Sequence, residues 1–394
     1  MADPDPGFCV DRRRRAHEEG RAMKFTAQAG DLAALLGHVK RSVPARTTIP
    51  VLQHVEMIAH GGKVRVRGTN LDVECWGFVD ADVEETGKAA IPGIALQSIV
   101  SRLKKDAPLI VSMSGDRCTL ACGRARYDLS THPLDGFPST RQPHEAERAS
   151  ISVAPASLNW LIGVTRGSIA PPKSGYAMAE GLFLKLIDGK LYAVASNGKQ
   201  IVAAHIEAEG DDFPDVTVIP SLMAGELQSL ATGDDPVTII ADARRIMFDG
   251  PSGTATSSLL DSRFFDWRRF MPERGDPIAV ASAEDLVPAL DRAMLAYTGL
   301  DVKAPTIDVS VIDGAIAIET EKNKQHDGHE EIDAEAMQVG AAFKCDGRFL
   351  KSLLALWGEA RVALQLFEGN NDTRLTIWSE DDPRMQQVLM LMRR

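Results

Sequence analysis

Three stretches, GGKVRVRGTNLD (61–72), DGKLYAVASNGK (188–199) and DGAIAIETEKNK (313–324), decide how this chain is organised. Each reads as a turn, a strand of alternating apolar and polar residues, and a second polar turn. With Gly62, Gly189 and Gly314 as markers the spacings are 127 and 125 residues, and Thr69 and Ser196 fall at the same offset. A second set keeps the period: IPGIALQSIVSRL (91–103), IPSLMAGELQSLA (219–231) and KCDGRFLKSLLALW (344–357). Apolar residues recur there at helical spacing: Leu96, Ile99, Val100, Leu103; Met223, Leu227, Leu230; Leu350, Leu353, Leu354, Trp357. Glu226 interrupts the middle copy. LDGFPS (134–139) is echoed by LDSRFFD (260–266), with Phe137 and Phe264 again 127 apart. A repeated domain accounts for all three coincidences.

Each unit also opens on a helical stretch, at 30–44, 155–170 and 282–296, and short alternating strands such as Val64/Val66, Val237/Ile239, Ile316/Ile318 and Val362/Leu364/Leu366 lie between the helices. The expected fold is α+β, three tandem domains of two helices on a sheet, with boundaries 23–147, 148–274 and 275–394. The terminal MQQVLMLM (385–392) falls where the third domain needs its last strand. Residues 1–22 lie outside the repeat; they read as a disordered extension or an upstream start, or as a basic arm through Arg12–Arg15.

The 394 residues, 44% hydrophobic and 25% charged, are ordinary globular values. No apolar run reaches the ~20 residues that span a bilayer, and no secretory leader is evident, so a cytoplasmic protein is expected. Five cysteines (Cys9, Cys75, Cys118, Cys122, Cys345) form neither a disulfide framework nor a CxxC pair; Cys118 and Cys122 share one face of a strand and read as small buried hydrophobes. A net charge of −11 argues against bulk electrostatic binding of nucleic acid unless the charge is unevenly spread.

In order and spacing, MKF at 23, RTTIPVLQHV (46–55), GTNLDVE (68–74), GRARYDLSTHPLDGFP (123–138), VASNGK (194–199), SRFFDWRRFMP (262–272) and the ending MLMRR resemble the bacterial β sliding clamp, the β subunit of DNA polymerase III, over residues 23–394. The resemblance implies two subunits closing a six-domain ring, helices lining a hole around duplex DNA and sheets outside. That arrangement predicts a charge asymmetry. Lys40, Arg41, Arg102, Lys104, Lys105, Arg166, Arg292, Arg348 and Lys351 stand against Asp31, Glu226, Glu284, Asp285 and Asp291 in and beside the helical stretches, net +4, leaving −15 for the remainder.

By resemblance, double-stranded DNA is contacted without base reading by Lys40, Arg41, Arg46, Arg102, Lys104, Lys105, Arg166, Lys173, Arg348 and Lys351. The homodimer interface draws Arg126, Tyr127 and Leu129 from an edge strand of the first domain and Arg292, Met294 and Leu295 from a helix of the third. A groove between the second and third domains, at Ala179, Ser196, Gly198, Lys199, Ile201, Phe265, Phe270, Val388, Met390, Leu391, Met392 and Arg393, receives short linear peptides of DNA polymerase, clamp loader and repair proteins. This chain departs from the family at Lys199-Gln200, at Phe265, at Met390-Leu391-Met392-Arg393 and at PSLMAG (220–225). Exchange of two rigid prolines for freer side chains is expected to reshape the groove floor and raise the ordering cost of binding; weaker DNA contact is expected at PSLMAG.

A non-catalytic processivity clamp is thus expected, with no cofactor and no metal. The alternative is a divergent paralogue acting as a specialised or inhibitor-insensitive partner-binding module. Against an enzyme, neither GxSxG nor GxxxxGK[ST] occurs; GPSGTATSS (250–258) lacks the lysine and the following helix, and HDGHE (326–330) reads as a polar loop away from other ligands.

Overall fold

In the computed structural model, which describes residues 23–392 apart from 140–141, 146–147, 176–178, 212, 215–216, 262–263, 321–326 and 370–371, the three marker stretches supply the middle strands of three antiparallel meanders. The meanders are His54–His60, Lys63–Thr69, Val73–Asp80; Gly181–Ile187, Lys190–Ser196, Gln200–Glu207; and Thr306–Ile312, Ala315–Thr320, His329–Ala336. Their first hairpins close at the same place, pairing His60 with Lys63, Ile187 with Lys190 and Ile312 with Ala315. Gly61 and Gly62 (φ 60° and 79°) and Asp188 and Gly189 (φ 51° and 74°) are left-handed, as two-residue turns joining twisted strands require.

The second turn repeats atom for atom in the first two copies. Thr69 Oγ1 accepts from the Leu71 N–H (3.0 Å) and donates to the Val73 carbonyl (3.1 Å), while Asn70 Oδ1 accepts from Asp72 and Val73. Ser196 Oγ accepts from Gly198 (3.1 Å) and donates to the Gln200 carbonyl (2.9 Å), while Asn197 Oδ1 accepts from Lys199 and Gln200. The third residue of the turn is left-handed in both: Gly198 has φ 80°, and Leu71, at φ 83°, takes a conformation that costs an ordinary residue about 1–2 kcal/mol.

Among the described residues, six helices follow the expected periodicity: α1 (Ala29–Val39), α2 (Gly93–Val100), α3 (Pro155–Thr165), α4 (Ser221–Leu230), α5 (Ala283–Met294) and α6 (Gly347–Leu354). Leu32, Leu35, Leu36 and Val39 form the buried stripe of α1, and Leu350, Leu353 and Leu354 that of α6. The helices are shorter than the stretches that announce them. Residues 91–92, 219–220 and 344–346 belong to strand ends, and the last residues of 30–44, 155–170 and 344–357 tighten into 3₁₀ turns. Glu226 does not interrupt α4; the helix runs through it with the side chain 2% exposed. Ser282 caps α5 by accepting from the Asp285 N–H, and Asp346 caps α6 through Arg348.

The chain packs as two units. In the first, which runs to Gln142 and adds Ser229–Val237 and Met247–Ser258, one sheet has the order Asp82–Glu85, Lys24–Gln28, Pro108–Ser114, Arg117–Cys122, Ala125–Ser130. The first meander joins Gly87–Pro92 on one side and Gly253–Ser258 on the other. Met23, Phe25, Leu32, Leu36, Met57, Ile91, Leu96 and Leu120 anchor its core. Gly253–Ser258 is a strand, so GPSGTATSS does not lead into a helix. In the second unit, a twelve-stranded sheet carries the second meander from Val218–Pro220 through Gln200–Glu207, then Met385–Met390, Thr373–Trp378, Arg361–Glu368 and Ala279–Ser282, then the third meander to Ala342–Asp346.

That order places the terminal strand between Gln200–Glu207 and Thr373–Trp378, pairing Ile201 with Val388 and Thr376 with Val388. One of its two glutamines, Gln387, is fully buried: it accepts from Trp357 Nε1 (2.9 Å) and donates to the Leu353 carbonyl (3.0 Å), fastening the strand to the end of α6. Among the described cysteines there is no disulfide. Burial pushes the Cys118 thiol up to about 12, as suits a small core residue.

Candidate peptide groove and nucleic-acid interface

On one face of the second unit's sheet, Val194, Ile201, Ala203 and Val388 form a buried apolar floor. Their alternation puts all four on one side of three paired strands. The segment 264–275 crosses this face. Phe264, Phe265, Trp267 and Met271 pack on the floor, and amide side chains tie the segment down: Gln386 Nε2 donates to the Pro272 carbonyl (2.8 Å), while Gln365 accepts from the Gly275 N–H (3.1 Å).

Along the segment runs an aromatic series. Phe183 stacks on Phe264 at 4.9 Å between centroids, Phe264 on Phe265 at 4.5 Å, and Phe265 meets Phe270 edge-on at 5.7 Å. Beyond Phe270 lies the Arg374 guanidinium, 5.2 Å from its ring and 5.5 Å from Phe367. Arg374 donates twice to Asp372 Oδ2 (2.8 and 2.6 Å) and once to the Arg269 carbonyl (3.3 Å). Phe265, which was expected to be freer than a proline at that position, lies between two aromatic neighbours, Phe264 and Phe270.

The other expected groove residues divide. Ser196 and Gly198 form the turn at the floor's edge, and the Lys199 carbonyl accepts from the Met390 N–H (2.8 Å). The Leu391 N–H donates to Thr373 and the Met392 N–H to Lys344, while Met392 Sδ accepts from Thr306 Oγ1 at 3.8 Å. Ala179 is buried, its carbonyl accepting from Ala170. Arg393 lies outside the described residues, as do Arg12–Arg15. Gln200 faces away from the groove, bonded to Ser168 Oγ (2.8 Å) and Ser352 Oγ (3.4 Å) beside the helices. Phe183, Phe264, Trp267, Phe367 and Arg374 were not singled out as groove residues from the sequence; only Phe264 carried a signal, its 127-residue echo of Phe137.

Of the expected DNA-contacting residues, Arg41, Arg46, Arg102, Lys104, Lys105, Arg166, Lys173 and Arg348 are exposed, and Lys40 and Lys351 are half-buried. They gather at helix C-termini more than along helix faces. Lys40 and Arg41 follow α1, Arg102 to Lys105 follow α2, and Arg166 follows α3, where the helix dipole favours a cation. In the first unit, Gly30 N–H donates to the Lys105 carbonyl (2.8 Å) and Lys40 Nζ to Gln97 Oε1 (3.0 Å), so α1 and α2 run antiparallel with their basic C-termini at opposite ends of the pair. In the second, Lys351 pairs with Asp291, and Arg348 pairs with Asp346 and donates to the Lys303 carbonyl. The helix opened by PSLMAG, α4, has no basic residue in its last turn.

The strand Ala125–Ser130 ends its sheet, and its Tyr127 is 41% exposed; Leu129 packs on the core. Arg126 lies 3.8 Å from Asp128. At the end of α5, Leu295 is 66% exposed, Arg292 makes a two-pronged bond to Glu330 (3.0 and 2.6 Å), and Met294 lies over Gly347, where an added Cβ would come 2.9 Å from its sulfur.

His329 opens a strand and does not sit in a loop, with Glu331 at 3.0 Å and Glu319 at 3.3 Å; His326 lies outside the described residues. Its bond to Glu331, with Glu319 adding to it, raises its pKa above the ordinary histidine value. A raised folded-state pKa adds stability that is complete below the ordinary value and disappears as pH climbs through the raised one. In an NMR titration, Glu331→Gln should move the His329 midpoint downward; an unchanged midpoint would remove Glu331 as the cause.

A family model described as DNA polymerase III beta subunit, N-terminal domain, matches residues 23–141. The beta sliding clamp of Pseudomonas aeruginosa is 27% identical over 375 residues, 94% of this chain and 100% of its own length. The chain is similar to beta sliding clamps along nearly its whole length. The Caulobacter vibrioides beta sliding clamp is 27% identical over 330 residues, covering 81% of this chain and 87% of that one. Among solved structures, the P. aeruginosa sliding clamp bound to griselimycin aligns with a TM-score of 0.85 at 26% identity, over 95% of this chain and all of the other. The Caulobacter crescentus beta sliding clamp, at 24% identity, shares the fold with a TM-score of 0.84 over 95% of this chain. The clamp fold thus extends over all three repeats, beyond the matched N-terminal domain.

Proposed function

We propose that the chain works as a DNA sliding clamp, a non-catalytic processivity factor in the cytoplasm. Two copies close into a ring of six repeats around duplex DNA, and the groove in the second unit tethers DNA polymerase, clamp loader and repair proteins by short linear peptides. The observation that carries this reading is the threefold α+β repeat, matched in fold to a sliding clamp over 95% of the chain. A head-to-tail contact between the Ala125–Ser130 edge and the end of α5 closes a ring when two copies meet, and it covers an edge strand that is otherwise a liability.

Retention comes from enclosure. The exposed cations need make only a few salt-sensitive phosphate contacts, and several are already engaged within the protein, which suits a ring that must move. The clustered Phe264, Phe265 and Phe270, with Arg374 behind them, support a divergent copy whose groove has its own partner preference. No helix among the described residues is long and apolar enough to cross a membrane. The purified protein should be retained on nicked circular DNA and released when the circle is cut. Equal release from circular and linear DNA would refute encirclement.

A further inference from the structure

The first meander matches the second in strand register, so the floor residues of the groove have counterparts. In the second unit Phe183, Val194, Ala203 and Gln386 face one another across four paired strands. In the first unit the same row is Glu56, Arg67, Trp76 and Thr254. One step along, Ser196, Ile201 and Val388 correspond to Thr69, Glu74 and Thr256. The crossing segment corresponds too, with Phe137 in place of Phe264 and Pro138 in place of Phe265, each 127 residues apart.

The apolar floor has thus become an ionic one. Arg67, 4% exposed, donates from Nε to Glu56 (2.8 Å), from Nη1 to Glu74 (3.0 Å) and from Nη2 to the Pro138 carbonyl (2.8 Å), and its guanidinium lies 4.9 Å from the Phe137 ring. Arg65 adds a second bond to Glu56 (3.1 Å), so two cations balance two carboxylates.

We propose that the first repeat carries a closed counterpart of the peptide groove, and that Arg67 is the latch: it fills the position of the floor residue Val194 and fastens the crossing segment by the Pro138 carbonyl. An apolar anchor entering there would leave the buried cation or its carboxylates unpaired, which excludes it. Each subunit then offers one apolar peptide site although its fold contains the frame of two. This rests on the second-unit groove being the peptide site.

Hydrogen exchange read by mass spectrometry tests the latch without any ligand. Arg67→Met keeps the volume approximately and removes the bonds; the amides of Leu134 to Phe137 should exchange at least tenfold faster, with those of Leu109–Ser114 unchanged. Unaltered exchange in that segment would overturn the proposal. Transplanting the second-repeat residues, Glu56→Phe with Arg67→Val and Glu74→Ile, should add one equivalent of bound 1-anilinonaphthalene-8-sulfonate per chain; a folded variant with unchanged stoichiometry would also overturn it. Should the triple variant fail to fold, the Arg67→Met exchange decides. Failure of the groove reading looks different: the wild type would bind no partner peptide, while the exchange prediction stood.

Discussion

Replacing Tyr127 and Leu295 together by aspartate should turn the dimer into a monomer and abolish retention on nicked circular DNA. Both side chains are large, apolar and exposed in the single chain, at 41% and 66%, and they lie on the two surfaces expected to meet. Because the contact is head-to-tail, each of the ring's two interfaces receives one substitution from each side. A carboxylate placed unpaired in a desolvated contact costs about 2 kcal/mol or more, so two cost roughly 4 kcal/mol, about a thousandfold in association at each interface. Sedimentation equilibrium reads the outcome. A variant that stays dimeric would show that the ring closes elsewhere, while the fold itself, which does not depend on these exposed side chains, should melt as before.

Phe264→Ala should have the second large effect, on the groove. The ring contacts Phe183 and Phe265 and packs on Val194, Ile201, Ala203 and Val388, so its loss leaves a gap where the crossing segment meets the floor. For a half-buried phenylalanine the stability cost is about 2 kcal/mol, below the value for a fully enclosed one. Binding of a labelled extended peptide with apolar anchors, followed by fluorescence anisotropy, should weaken about a hundredfold, since Phe265, on which Phe270 packs, loses a neighbour that orders it and the ligand must then order it itself. Unchanged affinity in a destabilised protein would move the peptide site off this face.

The repeat was legible because it is written in local chemistry. Paired left-handed turn residues, a hydroxyl followed by asparagine, and apolar residues every three or four positions each act on near neighbours, so Gly61-Gly62, Thr69-Asn70 and the stripe on α6 declare their structures wherever they occur. Helix ends were less legible, because Pro92, Pro220 and Asp346 sit where a strand runs straight into a helix and the apolar pattern continues across the junction. Val388 and Met390 were recognisable as strand residues, but nothing local marks Gln387, one position before Val388, as buried. Its amide is satisfied only because Trp357 and Leu353 arrive from α6.

The sequence by itself determined three copies of one α+β unit, their hairpins, their helices and an apolar last strand. Tertiary structure alone decided that Arg374 lies between Phe270 and Phe367, that the 264–275 segment is pinned by Gln365 and Gln386, and that Arg67 shuts in the first repeat what Val194 leaves open in the second. The reason is register: a side chain's neighbours across a sheet are set by pairing between strands that are far apart along the chain, and no local period records which rows will face each other.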